Sequence, residues 1–504
     1  MPVHKVKVKW GKEMYPDVEV DTSEDPMLFK AQVFALTGVQ PHRQKVMVKG
    51  MTLKDSEWGN LPIKDGVTVL MMGTKDEDVP PEPAEKTVFV EDMNDSELAS
   101  ALDLPGGLSN LGNTCYLNAT IQCLKTVPEL RESLEKFQAD LGGGAFVPSQ
   151  SITMAIRDLF NVMDRGITFS PVILLQVLRL AFPRFAEKGS GGDYMQQDAN
   201  ECWTELVRML QQKLPAKHID NAGNTPKSLI EQYFGGKMDV ELKCTEAPDE
   251  EPTRFQEDFL QLSCFISQDV RYMLSGLRSK LQEQLTKNSP TLERDAVYTK
   301  TSKISRLPAY LTIQFVRFFY KEKEAVNAKI LKDVKFPMIF DAIELCTSEL
   351  QEKLAPMRER FKQLEDQKVQ DQLNLKDKKA KDGGDGAKPK TRREPYWLEN
   401  DLGSNNSGYY TLQAVLTHRG RSSSSGHYVA WVRHTNDSWL KCDDETVTPI
   451  TAEDVLKLSG GGDWHCAYVL LYGPRVLELP ENAPSILVST TTKEAETMES
   501  EPSS

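Results

Sequence analysis

The sequence has few cysteines for its length, and none of them is paired at the spacing of a metal-ligand motif. The 504 residues include eight cysteines, at positions 115, 123, 202, 244, 264, 346, 442 and 466. No two of them form a CxxC pair, so the sequence signals neither a zinc ribbon nor a framework of disulfides. We therefore expect reduced thiols and no bound metal.

Long apolar segments are also missing. No run approaches the roughly 20 apolar residues that a membrane-spanning helix needs. The amino-terminal stretch MPVHKVKVKWGKE has no apolar core of signal-peptide length. We expect an intracellular protein in the cytoplasm, with the nucleus and peripheral attachment to a membrane left open. The net charge of −13 argues against nucleic acid as the main partner.

Residues 1–75 carry the pattern of a small α/β domain. The pattern predicts a helix in DPMLFKAQVFALTG and strands at Val3–Trp10, in DVEVD, at Gln44–Val48 and at Val67–Met71. The helix stops at Gly38, as helices often do at glycine, and the residues at helical spacing within it are Leu28, Ala31, Phe34 and Ala35. This order of elements resembles ubiquitin, which implies a β-grasp fold. The segment ends VLMMGTK and not in Gly-Gly, so we expect a built-in ubiquitin-like domain.

The rest of the chain divides by composition. Residues 76–104 hold ten acidic residues against one lysine, a net charge of −9, which predicts a flexible linker. Residues 105–478 mix helical and strand patterns and form the large second domain. We expect a flexible insertion at about 347–394, where a helix or helix pair broken by Pro356 leads into a basic stretch. Residues 479–504 are rich in Ser, Thr and Glu, which predicts a disordered tail.

The stretch GLSNLGNTCYLNATIQC contains a candidate nucleophile, Cys115. Leu117, Ile121 and Leu124 repeat at helical spacing and predict a helix that begins near Thr114 or Cys115. The first turn of a helix favours an anion, because its N–H groups are unpaired and the helix dipole is positive there. No such field acts on Cys123, which lies two turns further on.

A thiolate nucleophile needs a base and a group that orients the base. Of the seven histidines, His427 lies where a strand leaves the loop RGRSSSSG, a plausible place for a base, and His465 is a weaker alternative. Asp443 and Asp444 follow the strand SWLKC, and either of them can orient the imidazole. Asn110, five residues before the cysteine, can donate its side-chain amide to an oxyanion.

Four segments carry a specific resemblance. GLSNLGNTCYLNATIQCL and GHYVAWVR with WLKCDDETV resemble the cysteine and histidine boxes of the ubiquitin-specific proteases. YMQQDANECWTELVRML and SRLPAYLTIQFVRFFY match two further segments of that family, in the same order. The resemblance implies an α+β chain, in which a papain-like cysteine protease domain with thumb, palm and fingers follows the β-grasp unit. It implies no cofactor, and fingers without metal, because only Cys244 and Cys264 fall in that region.

The resemblance also implies a role for each matching residue. Cys115 is the nucleophile, His427 the base and Asp443 the orienting acid, with Asp444 in reserve. Asn110 is the oxyanion donor. Residues implied to hold the extended tail of ubiquitin are Gln196, Asp198 and Tyr428. Cys442 departs from the family, which usually has an aromatic residue there.

The implied substrates are ubiquitin and polyubiquitin chains, and the implied partner is the regulatory particle of the 26S proteasome, bound through the ubiquitin-like domain. The serine loop beside the histidine box predicts a gate over the substrate channel, formed by Ser422, Ser423, Ser424 and Ser425. An alternative is a largely non-catalytic ubiquitin receptor or proteasome regulator, with low activity in the free protein.

Overall fold

The computed structural model of the chain describes residues 3–75, 104–139, 146–217, 226–321, 326–378, 391–422, 425–435, 438–462 and 464–480. The chain divides into two compact units, Met1–Met93 and Asn94–Ser504, and each is described by itself. Most of the predicted linker, residues 76–103, and most of the predicted tail, residues 481–504, lie outside the described residues.

The amino-terminal unit is a five-stranded sheet with one helix. Its elements are β1 Val3–Trp10, β2 Glu13–Asp21, α1 Pro26–Thr37, β3 Lys45–Val48, β4 Met51–Thr52 and β5 Thr68–Met72. The strand order is β2-β1-β5-β3-β4, with β1 and β5 parallel to each other. Asp25 caps the start of α1 with its carboxylate, which accepts a hydrogen bond from the Met27 N–H, and Gly38 caps its end. This is the β-grasp arrangement that the sequence predicted.

The buried face of α1 differs from the stripe that sequence spacing indicated. Leu28 and Phe34 are exposed, whereas Phe29 and Val33 are buried in the core of the unit. Lys30 lies on the same buried face, where its ammonium group pairs with Asp55 and also donates to the Gln44 carbonyl. A lysine in the inward stripe hides the true apolar periodicity, which explains the error.

The second unit contains nine helices among its described residues. They are α2 Cys115–Lys125, α3 Pro128–Glu135, α4 Pro148–Met163, α5 Val172–Ala181, α6 Ala199–Lys213, α7 Leu229–Phe234, α8 Met273–Leu281, α9 Ser348–Lys378 and α10 Ala452–Leu456. Side chains of α2 to α7 share one apolar core with the inner side of the large sheet. Helix α2 lies at the centre of this core, against α6 on one side and against the sheet on the other.

The strands of the second unit form two principal sheets. They are β6 Gly236–Cys244, β7 Thr253–Phe259, β8 Leu262–Phe265, β9 Gln282–Ser289, β10 Arg294–Arg306, β11 Leu311–Val316, β12 Phe318–Lys321, β13 Val326–Lys329, β14 Ile339–Asp341, β15 Thr391–Arg393, β16 Tyr409–Ser422, β17 Ser425–Arg433, β18 Trp439–Asp443, β19 Thr446–Ile450, β20 Cys466–Pro474 and β21 Glu478–Pro480. The large sheet has the order β19-β18-β17-β16-β20-β11-β8, and β14 also pairs with β16. A four-stranded sheet has the order β7-β6-β10-β9.

These three parts match the architecture implied by the sequence. The helical layer of α2 to α7 is the thumb, the large sheet is the palm, and the four-stranded sheet is the fingers. The α+β prediction is confirmed. Among the described residues, no helix has the length and apolar character needed to cross a membrane.

The predicted insertion begins with a helix, as expected, but without the expected break. Helix α9 runs through Pro356 without a break, and its Leu350, Leu354 and Phe361 are buried. The Arg358 guanidinium forms an ion pair of 2.7 Å with Asp341 at the palm edge. Residues 379–390, the Gly- and Lys-rich part of the prediction, lie outside the described residues.

Candidate active site

A sharp turn delivers Cys115 to the start of α2. Gly112 and Asn113 adopt consecutive left-handed conformations, with φ of 91° and 55°. Glycine and asparagine tolerate this region better than other residues, so the sequence GNT permits a turn that most sequences would resist. Cys115 is the first residue of the helix and is only 2% exposed. The predicted helix start is confirmed.

His427 lies near the start of β17 and faces both Cys115 and Asp443. Its Nε2 is 2.6 Å from an Asp443 carboxylate oxygen, which leaves Nδ1 for the hydrogen bond with the Cys115 thiol. The Asp443 bond, and next the Cys115 bond, raise the pKa of His427 to about 10. A protonated imidazole next to sulfur stabilises a thiolate by its charge. The arrangement can therefore hold a nucleophile and proton donor as an ion pair.

Asp443 is held ionised by two cationic groups. The hydrogen bond with His427, and then the bond of 2.7 Å with Lys441, keep the pKa of Asp443 well below its ordinary value. Lys441 lies two residues before Asp443 on β18, and therefore on the same face of the strand. Sequence reasoning missed Lys441, although this alternation was a usable signal.

Asp444 has different partners from Asp443. One of its carboxylate oxygens accepts a hydrogen bond of 2.8 Å from the Asn110 amide, and the other accepts one of 2.8 Å from the Asn118 amide. The closest approach to His427 Nε2 is 4.0 Å. Geometry thus separates the two aspartates, which residue patterns alone left open and of which the family resemblance favoured Asp443. Asn118 was also missed, although it lies one helical turn after Cys115.

Asn110 is fixed by bonds at both ends of its amide. Its oxygen accepts hydrogen bonds from the N–H groups of Gly112 and Thr114, at 3.0 and 3.2 Å. Its nitrogen donates to Asp444, and because an amide nitrogen carries two hydrogens, a second one remains for another acceptor. The position is compatible with the predicted role as an oxyanion donor.

The residues predicted to hold a substrate tail divide into two groups. Asp198 is engaged inside the chain: it caps α6 through the N–H groups of Asn200 and Glu201, and it accepts a bond of 2.7 Å from the Tyr468 hydroxyl. Burial raises the pKa of Asp198 above its ordinary value. Its carboxylate is therefore less available to a substrate arginine than the sequence suggested, and Tyr468 is a neighbour that sequence reasoning missed.

The surroundings of Gln196 and Tyr428, unlike those of Asp198, agree with the predicted role in holding a substrate tail. Gln196 is 8% exposed, and its amide nitrogen has no hydrogen-bond partner among the described residues. A buried donor without a partner costs about 1 to 3 kcal/mol, a cost that an extended peptide could remove. Tyr428 is fully buried beside the His418 and Tyr468 rings. Its backbone N–H donates to the Cys115 sulfur at 3.5 Å.

The serine loop is shorter than predicted. Strand β16 extends to Ser422 and β17 begins at Ser425, and these two residues pair across the hairpin. Ser423 and Ser424 lie outside the described residues. Ser422 and Ser425 of the predicted gate therefore belong to paired strands, and we call residues 419–422 and 425–426 the serine hairpin.

His418 supports the base of the serine hairpin. Its Nε2–H donates to the Ser425 carbonyl at 3.2 Å. The side chain is completely buried, and burial, followed by the charge of Lys329, lowers the pKa of His418 to about 3. Sequence reasoning did not single out His418, since burial of a histidine cannot be read from its neighbours.

Within the described residues, one group of side chains has donor atoms close enough to hold a metal. It consists of His427, Asp443 and Asp444, whose donors lie within 4.8 Å of one another. The same donors are already bonded to each other or to Asn110, Asn118 and Lys441. Cys244 ends β6 and Cys264 lies in β8, so these two cysteines belong to different sheets.

Known proteins resemble the chain over almost its whole length. Residues 106–472 match the family Ubiquitin carboxyl-terminal hydrolase. Ubiquitin carboxyl-terminal hydrolase 6 of Arabidopsis thaliana is 40% identical over 488 residues, which cover 94% of this chain and 99% of that protein. Ubiquitin carboxyl-terminal hydrolase 14 of Caenorhabditis elegans is 41% identical over 499 residues, 96% of each chain. Ubiquitin carboxyl-terminal hydrolase 6 of Schizosaccharomyces pombe is 37% identical, with 93% and 98% covered.

The fold and the cysteine–histidine–aspartate arrangement define a papain-like cysteine hydrolase. The chain belongs to the ubiquitin carboxyl-terminal hydrolase family. It is a cysteine-type ubiquitin hydrolase, of the type that includes the hydrolases 6 and 14 named above.

Proposed function

We propose that the chain is a proteasome-associated deubiquitinase that cleaves isopeptide bonds after the carboxyl-terminal glycine of ubiquitin. The observation that supports this most directly is the contact of Cys115 with His427, and of His427 with Asp443 at 2.6 Å. A nucleophile, a base and an orienting acid in this order are what acyl transfer by a thiol requires.

The proposed reaction follows from the positions of the groups. The Cys115 thiolate attacks the glycine carbonyl, and the oxyanion that forms accepts hydrogen bonds from Asn110 and from the Cys115 N–H. The His427 imidazolium gives its proton to the departing lysine amine, which leaves a thioester on Cys115. His427, now neutral, takes one proton from water as that water attacks the thioester, and the thiolate leaves. The ubiquitin carboxylic acid that forms loses its remaining proton to solvent.

The proposed binding of the ubiquitin tail uses the channel beside the triad. Gln196 offers its unpartnered amide, and Tyr428 forms part of the buried wall. Asp198 acts on the tail through Tyr468 and the start of α6, because its own oxygens are engaged there. The resemblance to the ubiquitin-specific proteases implies a channel that only a tail ending in two glycines can enter, which supports ubiquitin over unrelated peptides.

Hydrolysis of a ubiquitin-amide reporter tests this proposal. We expect Cys115→Ala to abolish turnover, whereas Cys123→Ala, a matched cysteine on the same helix, should retain it. The thiol of Cys123 is buried and its pKa is raised well above the ordinary value, so it is a poor nucleophile. Turnover that survives Cys115→Ala, or a chain that acts only on another modifier, would contradict the assignment.

The proposed partner of the amino-terminal unit is the proteasome regulatory particle, and the proposed location is the cytoplasm. The β-grasp topology supports a docking role, because the unit has the fold of a ubiquitin-like domain. Deleting residues 1–75 should abolish co-purification with the regulatory particle while labelling by a ubiquitin probe persists. Loss of both co-purification and labelling would indicate that the truncated chain does not fold. Retention of both would refute the docking role.

A gating role for the serine hairpin is the second part of the proposal. Its residues 425 and 426 directly precede His427 on β17, so movement of the hairpin reaches the triad. We expect proteasome-bound chain to hydrolyse the reporter faster than free chain. Equal rates would exclude gating, and no turnover in either state would favour the non-catalytic receptor.

A further inference from the structure

The thumb carries a short loop between α5 and α6, residues 187–195, which we call the thumb loop. Two backbone hydrogen bonds of 2.9 Å join its limbs, from the Met195 N–H to the Glu187 carbonyl and from the Gly189 N–H to the Asp193 carbonyl. Every residue of the loop is exposed except Tyr194. The side chain of Tyr194 is therefore the part of the loop that can fix its position on the thumb.

An arginine of α5 holds the Tyr194 ring. The guanidinium carbon of Arg179 lies 3.5 Å from the centre of that ring. Arg179 is only 9% exposed, and its Nε has no hydrogen-bond partner in the described part of the chain. A cation stacked on an aromatic ring away from water is held more strongly than one at the surface. The stack of Arg179 on Tyr194 therefore fastens the thumb loop to α5.

The backbone of Tyr194 connects two parts of the candidate active site. Its carbonyl accepts a hydrogen bond of 2.9 Å from the side-chain amide of Asn113, in the left-handed turn that precedes α2. Gln196 follows two residues later, and its buried amide nitrogen is the one proposed to meet the ubiquitin tail. A displacement of Tyr194 would reach Gln196 through a single intervening residue.

We propose that Arg179 and Tyr194 are positioning residues, and that their stack sets the place at which Gln196 meets the ubiquitin tail. The inference rests on the proposed binding of the tail by Gln196. The stack acts on substrate binding and not on the chemical step, because it fixes the loop that leads to Gln196. Loss of the stack should therefore raise KM and leave kcat unchanged.

Steady-state hydrolysis of a ubiquitin-amide reporter by the full chain tests this role. Arg179→Met removes the charge from the stack, and Tyr194→Ala removes the ring. We expect each to raise KM about three- to tenfold, the range for one lost hydrogen bond between neutral groups. Tyr194→Phe keeps the ring and should match the native KM. A role in folding alone would lower the apparent kcat at an unchanged KM, since part of the protein would be inactive.

A double variant tests whether the stack acts through Gln196. In a chain that already carries Gln196→Ala, adding Tyr194→Ala should raise KM no further, because residues that act as a unit are not additive. The control is Arg475→Met, which removes an arginine 4.9 Å from the Phe361 ring and should leave KM unchanged.

Three results would overturn the positioning role: a native KM in Arg179→Met and Tyr194→Ala, a lower kcat at native KM in both, or full additivity with Gln196→Ala. A native chain that does not hydrolyse the reporter would refute the proposed function itself, and the positioning role with it.

Discussion

Two adjacent aspartates hold different parts of the candidate active site. Asp443 bonds to His427, and Asp444 bonds to Asn110 on the loop before α2 and to Asn118 on the helix itself. The φ of Asp444 is 51°, so the chain turns sharply between β18 and β19 and aims the two carboxylates apart. The two aspartates of this turn therefore contact both catalytic elements: Asp443 bonds to His427 on β17, and Asp444 bonds to Asn118 on α2.

Replacing Asp443 should change the titration of His427. The pKa of His427 is raised to about 10, so this pairing stabilises the fold fully below the unfolded pKa of about 6.5 and is lost as pH rises toward 10. The depressed pKa of Asp443 has the opposite limit, since its contribution is present above about pH 4 and is lost as pH falls. The His427–Asp443 pair therefore contributes most to the free energy of unfolding between about pH 4 and pH 6.5.

We expect Asp443→Asn to lower the pKa of His427 toward 6.5, measured by NMR titration of its ring protons, and to reduce turnover by about 10² to 10⁴. Asp444→Asn is the control, because its carboxylate is 4.0 Å from the ring and the pKa of His427 should change little. An unchanged titration in Asp443→Asn would contradict the assignment of Asp443.

Asn110 and Asp444 should act as one unit in catalysis. Asn110→Ala removes an oxyanion donor and should lower kcat about 10² to 10³, with little change in KM. Asp444→Ala should lower kcat too, because it frees the Asn110 amide to move. The double variant should be little worse than Asn110→Ala alone. Steady-state kinetics of all three variants provides the measurement, and additive losses would show that Asp444 does not act through Asn110.

At the scale of elements, the serine hairpin contains a glycine, Gly426, whose position leaves no room for a larger side chain. A Cβ on Gly426 would lie 2.2 Å from the Arg419 carbonyl and 2.7 Å from His418 Nε2, and its φ is 123°. We expect Gly426→Ala to destabilise the second unit by about 1 to 3 kcal/mol, the usual scale of such strain, and to lower turnover through the displaced His427.

Urea unfolding and reporter hydrolysis measure these two effects. Gly191→Ala is the control, because a Cβ there meets nothing within 4 Å and its φ is not in the left-handed region. If Gly426→Ala matched Gly191→Ala in both assays, the packing of the hairpin on His418 would contribute neither to stability nor to turnover.

Elements with strong local signals could be predicted from the sequence. The start of α2 and the strand β1 agree with their patterns, because alternation and helical spacing are local properties. The length of the serine hairpin could not be predicted, since serine and glycine give no strand signal and Ser422 and Ser425 are ordered by pairing. Helix α9 was divided at Pro356 because a proline in a helix is usually a break, but tertiary packing of Leu350 and Leu354 offsets that cost.

At the scale of the whole second unit, a half-buried carboxylate joins the thumb to the palm. Glu129, in the first turn of α3, accepts hydrogen bonds of 2.5 Å from the hydroxyls of Tyr310 and Tyr396. Burial, and then the charge of Glu129, raise the pKa of both tyrosines above their ordinary value of about 10. The network spans 181 and 267 residues of sequence, so no local pattern could have revealed it.

We expect Glu129→Gln to destabilise the second unit by about 1.5 to 3 kcal/mol, the cost of losing a hydrogen bond to a charged group, as measured by urea unfolding. Because the folded pKa of both tyrosines is raised, their contribution is present below about pH 10 and is lost as pH rises further. The variant should lose less stability than the native chain in that range.

Glu132→Gln is the matched control for this prediction. Glu132 lies on the same helix and pairs with Lys136 and Lys217 at the surface, where ion pairs contribute little. Equal destabilisation by the two variants would indicate that the hydrogen bonds of Glu129 to the two tyrosines stabilise the second unit no more than a surface ion pair does.

The triad illustrates what a sequence can and cannot specify in the whole molecule. Cys115 and His427 could be proposed as nucleophile and base from the sequence because each lies beside a strong local signal, a helix start and a loop before a strand. The residue patterns alone left Asp443 and Asp444 open, and the family resemblance favoured Asp443, to which the structure adds the separate partners of the two carboxylates. The internal engagement of Asp198 could not be predicted, because its partner Tyr468 is 270 residues away in sequence.

The most direct test of the account is to map the adduct formed with a ubiquitin that carries a carboxyl-terminal electrophile. The native chain is labelled, digested and analysed by mass spectrometry, with Cys115→Ala and Cys123→Ala treated in parallel. We predict a single adduct, on Cys115, that is absent from Cys115→Ala and retained in Cys123→Ala. An adduct on any other cysteine, or labelling that persists in Cys115→Ala, would contradict the assignment of Cys115 as the nucleophile.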